Sequence, residues 1–268
     1  MEKKGTPIPF WKVYKLTVSG FALNYATPVG LMGGEPYRIM ELTPYVGASK
    51  ATSSVILYVM MHIFSHFCFW FFSIFLYLAL RPVDIAMGTI LAVVGAVSLL
   101  AIYFFMKGYK NGMAVRTLKL LQHIPFIKEW AKRFSENKRE ALERVDSQIA
   151  ELHKQRRSTF YASLSLEFMA RIIGCLEVYF ILNILTTDVS FPACILIMAF
   201  TSLFANLFFF SPMQLGAREG GFALAVGGLA IPGAFGVYTG LITRVRELIW
   251  IVIGVLLMKV GNGTPANK

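Results

Sequence analysis

An all-α, polytopic transmembrane helical bundle is the fold class that the sequence predicts, and three observations predict it. The 268 residues are 56% hydrophobic and only 15% charged, with a mean hydropathy of +0.60, whereas soluble domains carry about 25% charged residues. Residues 55–80, 85–106, 189–213 and 221–242 each run for 22 or more positions without Asp, Glu, Lys or Arg, enough for the roughly 20 residues that cross a bilayer as a helix. These runs are continuous rather than alternating. Lipid-exposed backbone must satisfy its own hydrogen bonds, so such runs specify helices and not a barrel.

Shorter or more polar candidate spans lie at 9–27, 159–186 and 243–260. The opening "MEKKGTPIPFWKVYKL" has basic residues but lacks the apolar core and cleavage site of a secretory signal. Cys68, Cys175 and Cys194 fall one to a hydrophobic segment, so neither a disulfide framework nor a zinc site is expected. The whole chain, 1–268, reads as one membrane domain: a first half at 1–106, a basic hairpin at 107–157 and a second half at 158–268.

The net charge of +11 is concentrated. Residues 107–157 hold 13 of the 26 Lys and Arg and 6 of the 15 acids, a local excess of +7. A basic loop between spans is expected in the cytoplasm, against the anionic leaflet of a bacterial-type inner membrane. That makes "RPVD" (81–84) an external turn. Basic and aromatic residues are not interleaved on a folded module, so nucleic acid is not an expected partner. Within the loop, 113–134 reads as an interfacial helix. Leu142, Val145, Ile149 and Leu152 space a narrow seam on a second helix.

The chemistry-bearing residues sit in two stretches, "NYATPVGLMGGEPYRIMEL" (24–42) and "NLFFFSPMQLGAREGGFAL" (206–224). Aligning Pro28 with Pro212 places a glutamate seven residues later in both, Glu35 and Glu219. Leu31 matches Leu215, glycines crowd both copies, and Arg38 and Arg218 accompany the glutamates. Asn24 and Asn206 precede them in apolar segments. Pro removes a backbone donor and Gly costs conformational entropy, so helices are expected to stop near Pro28 and Pro212. Such interruptions at corresponding places in two halves point to broken or re-entrant helices arranged as a pseudo-repeat, an inverted repeat around a midplane site. The plainer alternative is a pair of interfacial loops whose Glu and Arg cap helices. The expectation is that both stretches meet in one polar pocket inside the bilayer.

Glu167, Arg171 and Glu177 interrupt the span 159–186. Charge at a helix centre costs about 2.5–3.5 kcal/mol on insertion scales, so these groups are expected to face the bundle interior. Glu167 and Arg171, four apart, share a face and make a static pair the plain reading. Arg244, Arg246 and Glu247 are expected to snorkel to the interface. His62 and His66 lie one turn apart, but two ligands do not make a metal site, so they are read as packing residues. No serine has the neighbours a nucleophile needs. Gly236 and Gly240 stand in small-xxx-small register for close helix contact. No catalytic residue, metal or cofactor is expected.

"LNYATPVGLMGGEPYRIMEL" and "SPMQLGAREGGFAL" resemble the two motifs of the lysylphosphatidylglycerol synthase transmembrane, or flippase-like, family. The resemblance covers nearly the whole chain, including the basic hairpin and Arg244. It implies a transporter-like membrane protein that moves an anionic or zwitterionic phospholipid, or another polar lipid, between leaflets. Glu35, Arg38, Arg218 and Glu219 would lie in or beside the substrate cavity, with Asn24, Asn206, Glu167 and Arg171 nearby. Relative to that family the chain is expected to be N-terminally short. Lysyl transfer, the work of a separate soluble domain, is not expected of it. The competing expectations are an intramembrane lipid-modifying enzyme and a non-catalytic membrane assembly partner.

Overall fold

The computed structural model describes residues 8–26, 33–111, 147, 157–186, 189–208 and 214–259. Eight helices account for nearly all of the described residues: α1 Phe10–Ala26, α2 Gly34–Val46, α3 Ala48–Leu80, α4 Ile85–Asn111, α5 Arg157–Leu185, α6 Phe191–Leu207, α7 Ala217–Gly227 and α8 Gly233–Lys259. Most of the basic hairpin at 107–157 lies outside the described residues, as do Pro28 and Pro212 themselves.

Length sorts these helices. At 1.5 Å per residue, the 33 residues of α3 reach about 50 Å, more than the roughly 30 Å of bilayer hydrocarbon, so α3 tilts or protrudes. Among the described residues three helices are long and apolar enough to cross a membrane: Ala48–Leu80, Ile85–Lys107 and Ser158–Leu185. By contrast α2, with 13 residues, and α7, with 11, reach only about 20 Å and about 17 Å. Neither can span.

Local chemistry explains the boundaries. Gly47 alone separates α2 from α3. Its φ of 83° is the left-handed conformation that glycine adopts without a Cβ penalty, and its N–H caps Thr43 O at 2.9 Å. Asp84 ends the Arg81–Asp84 turn and its Oδ1 accepts from Met87 N at 2.7 Å, capping α4. Ser190 caps α6 in the same way through Ala193 N, with Pro192 in the first turn, where its missing N–H is not needed. The uncharged run 221–242 is not one span, as its composition suggested. It breaks at residues 228–232, where Ala230 takes φ 62° and Pro232 restarts the chain as α8. The candidate span at 243–260 is the second half of that longer helix.

Short helix and long helix fold together as hairpins. α2 lies against α1 and α3, and α7 lies between α6 and α8; α1 meets α8, and α3 meets α4, α5 and α6. Small residues permit these approaches, as expected where helices pack without a hydrophobic driving force. A Cβ on Gly34 would overlap the Gly20 carbonyl, and one on Gly236 would overlap the Phe222 carbonyl. A Cβ on Gly254 would lie 2.6 Å from both Ala22 Cβ and Val18 O, and Ser19 Oγ donates to Gly254 O at 3.0 Å. The core around α7 joins Val178 and Leu182 of α5, Cys194 and Ile197 of α6, and Phe222 and Val226 of α7.

Backbone contacts this close make a definite expectation. Gly254→Val and Gly34→Ala should each lower stability by about 1–3 kcal/mol, the usual penalty of overpacking. Gly88→Ala, whose Cβ would meet only Val83 Cγ1 at 3.4 Å, should be near neutral. Unfolding of the detergent-solubilised protein measures all three.

Candidate functional site

The first motif builds its site across the α1–α2 hairpin. Asn24, near the end of α1, reaches the start of α2 twice: Oδ1 accepts from Gly34 N at 2.6 Å, and Nδ2 donates to Glu35 Oε1 at 3.2 Å. Arg38, one turn on, is 7% exposed. Its Nη1 donates to the same Glu35 oxygen at 3.1 Å and its guanidinium lies over the Tyr58 ring of α3, 5.0 Å from the centroid. Gly20 makes room for it, because a Cβ there would strike the guanidinium. Glu35 Oε2 is buried and has no hydrogen-bond partner among the described residues. At the other end of the hairpin Lys12 pairs with Glu41 at 2.5 Å.

The second motif builds its site across the α7–α8 hairpin. Glu219 Oε2 accepts from Gly216 N at 2.9 Å, capping α7, while Oε1 takes Arg244 Nη2 at 2.7 Å and Nε at 3.2 Å. Arg218 donates to Glu247 Oε1, and Arg244 Nη1 reaches Glu247 Oε2 at 3.4 Å. Glu247 is 3% exposed and Arg244 8%. Gly240 allows the closeness: a Cβ on it would sit 3.1 Å from Glu219 Cγ. Arg246, its side chain 48% exposed, bonds Glu177 of α5 at 2.5 Å.

Arg244 and Glu247 therefore do not snorkel, as the sequence suggested; they are buried between α7 and α8. The reason is the turn at 228–232. Folding the chain back there sets 219 opposite 244 and 218 opposite 247, pairs that lie symmetrically about Pro232 and supply each other's counter-ions. That symmetry about a Gly-and-Pro break was the sequence signal available for them.

Glu167 and Arg171 do share a face, but their bonds run across to α3 and not to each other. Glu167 Oε2 accepts from His62 Nδ1 at 3.3 Å. Arg171 donates to Ser65 Oγ at 2.8 Å, to His66 Nδ1 at 3.1 Å and to the His62 carbonyl at 2.9 Å. Both histidines are thus interhelical ligands of α5 side chains. Among the described residues no three His, Cys, Asp or Glu stand together as a metal site.

Of the eight residues singled out by sequence, Asn24, Glu35 and Arg38 form one cluster, and Arg218 and Glu219 belong to another. Glu167 and Arg171 form a third, which adjoins the first through Tyr58: that side chain interacts electrostatically with Arg38, Glu35, Glu167 and Arg171. Asn206 does not mirror Asn24; its Nδ2 donates back to Ser202 O at 2.7 Å. The two motif clusters border the same end of α1, since Tyr25, next to Asn24, lies within electrostatic reach of Glu247, Arg218, Arg244 and Arg246. A separate cleft of about 180 Å³ opens between α3, α4, α6 and α7. It is mostly apolar and is lined by none of the eight.

Long apolar spans around neutralised internal charge define a multi-pass membrane protein. The family described as the lysylphosphatidylglycerol synthase TM region matches residues 1–254, and the chain belongs to that family. Neither a curated protein nor a solved structure matches it. Membership ties this membrane bundle to lipid metabolism or transport.

Burial ranks the ion pairs. Glu247→Ala leaves two arginines short of a buried carboxylate and should cost about 3–5 kcal/mol, whereas Glu177→Ala, at the half-exposed pair, should cost less than about 1 kcal/mol. Arg171→Lys cannot reach Ser65, His66 and the His62 carbonyl together, and should cost about 1–3 kcal/mol. Denaturant titrations in one detergent, with the three variants beside the parent, check the order.

Proposed function

We propose that this chain moves an anionic or zwitterionic phospholipid, or another polar lipid, between membrane leaflets, acting as a transporter and not as an enzyme. One observation carries the reading. Buried Arg and Glu clusters stand on two short helices, α2 and α7, and both clusters border one end of α1 within a largely apolar bundle. Buried ionisable groups at membrane depth are costly and mark substrate paths by default. In this reading a lipid phosphate takes charge-assisted hydrogen bonds from Arg38 and Arg218. Glu35 and Glu219 are the counter-ions that hold those arginines between visits. Glu35 Oε2, buried and without a partner among the described residues, is the acceptor for a headgroup amine.

Helix order supports a repeat that rocks about this region. Residue lengths run 17, 13 and 33 through α1, α2 and α3, and 17, 11 and 27 through α6, α7 and α8. Re-entrant α2 and α7, related as an inverted repeat, would then present their N-terminal ends to one site. One backbone donor at each of these ends is already in use, Gly34 N by Asn24 and Gly216 N by Glu219, so the arginine side chains would be the main receivers of the phosphate. The charge excess of 107–157 supports a cytoplasmic loop and an inner-membrane location.

A second reading, a non-catalytic assembly partner, is favoured by one fact: Arg218, Glu219, Arg244 and Glu247 already satisfy one another. Lipid movement in proteoliposomes separates the two. Arg38→Gln and Glu35→Gln should each slow fluorescent-phospholipid translocation about 10- to 100-fold, the value of one or two lost charge-assisted hydrogen bonds, with helicity and monodispersity kept. Parent-like rates in both variants would remove these residues from the site, and no movement by the parent would favour the assembly partner.

A further inference from the structure

We infer that the cleft between α3, α4, α6 and α7 holds one acyl chain of a phosphate-bearing membrane lipid. Its floor is buried side chain, Trp70, Ile197 and Ala199; its rim is exposed side chain, Ile90, Phe200 and Leu224. Because α3 and α4 are membrane spans, that rim is continuous with the hydrocarbon-facing surface of the protein. Of the three polar side chains in the lining, Trp70, Ser73 and Tyr77, two are already bonded inside the chain: Trp70 Nε1 donates to Ser202 Oγ at 2.9 Å and Ser73 Oγ to Trp70 O at 2.7 Å. Water needs two to four polar partners to stay in a cavity, and a headgroup needs more. Hydrocarbon is the occupant that fits.

The cleft is also joined to a phosphate-binding charge by one short helix. α7 starts at the Arg218 end and lines the cleft with Leu224 and Ala225, and the turn that follows it adds Gly228 and Leu229. Ala225 is seven residues, two turns, from Arg218, so the two share a face about 10 Å apart along the axis. A phospholipid whose phosphate meets Arg218 can therefore lay a chain along α7 into the cleft. This link rests on the proposed reading that the arginines receive phosphate; the apolar occupant does not. Moving a chain from bilayer to cleft exchanges one apolar surrounding for another, so packing and not the hydrophobic effect holds it. Occupancy should then depend on chain length and shape.

Photolabelling tests this without requiring transport. The full-length protein is reconstituted with a trace of phosphatidylglycerol carrying a diazirine in one acyl chain, illuminated, and the adducts are mapped. Adducts should concentrate on residues 87–94, 196–203 and 224–229 and should be competed by excess unlabelled long-chain phosphatidylglycerol. Gly228→Leu should lower them at least about tenfold. That backbone accepts the change, since Gly228 has φ −65° and a Cβ would meet Leu224 O at 3.4 Å and Ala225 O at 3.6 Å. Arg218→Gln should lower labelling by the phospholipid but not by the matching diacylglycerol probe, which has no phosphate. Adducts spread evenly over the bilayer-facing surfaces of α3, α4 and α5, without saturation in the parent protein, would overturn the cleft as a site. Equal loss of both probes in Arg218→Gln would overturn the phosphate link. Cleft labelling with parent-like translocation in Arg38→Gln would sink the proposed function and leave this site standing; slowed translocation with no cleft labelling would do the reverse.

Discussion

Charge inside an apolar bundle has to be neutralised by the chain itself, and in this protein every other feature of the second half depends on how that is done. Glu247 and Arg244 are almost wholly buried, and each unpaired charge at such depth costs about 2.5–3.5 kcal/mol. Their partners, Arg218 and Glu219, stand on a helix of 11 residues that is too short to cross the membrane. The pairing needs α7 and α8 nearly in backbone contact. Gly236 and Gly240 provide that on one side, and Gly221, whose Cβ would lie 3.3 Å from Thr201 Cα, provides it toward α6. Glycine therefore sets the distance and charge sets the register.

The same device appears in the first half with different residues. Gly20 and Gly34 bring α1 and α2 together, and the space that Gly20 leaves is filled by the Arg38 guanidinium. The halves then meet through two helix pairs. α1 packs on α8 through Ser19 and Gly254, and α6 packs on α3 through Ser202 and Trp70. α5 stands outside this exchange. Three of its charges reach out to neighbours: Glu167 and Arg171 to α3, and Glu177 to α8. A helix that grips both halves through ion pairs and hydrogen bonds keeps their packing in register.

Fold class, the long spans and the two charged stretches were legible in the sequence because hydropathy and the Pro–Gly–Glu spacing are local signals. Glu35 with Arg38 is also local, three residues apart on one helix. What could not be read is whatever depends on a bend. The run 221–242 has no charge to mark its break, so composition joined two helices that Ala230 and Pro232 separate. Once that bend is misplaced, Arg244 and Glu247 have no visible partners and seem fit only for the interface. The partners of Glu167 and Arg171 are hidden for a related reason: their spacing fixes a shared face, but only packing says that His62, Ser65 and His66 lie opposite it.

The two motifs, alike in spacing, are not alike in how tightly their charges are held, and this matters for any polar ligand. An arginine can take a phosphate only by loosening its carboxylate, and a carboxylate with spare bonding capacity is the easier one to leave. Arg38 bonds a single Glu35 oxygen at 3.1 Å, and the second oxygen of that carboxylate has no partner among the described residues. Arg218 and Arg244 instead share Glu247, Arg244 also holds Glu219, and Glu219 in turn caps its own helix. Releasing one arginine from that ring exposes a second charge and frays α7 at once. On the proposed reading a headgroup therefore exchanges counter-ions at Arg38, whereas at Arg218 the phosphate joins through donors other than the Nη1 that Glu247 holds, and the second cluster stays closed and keeps α7 in place.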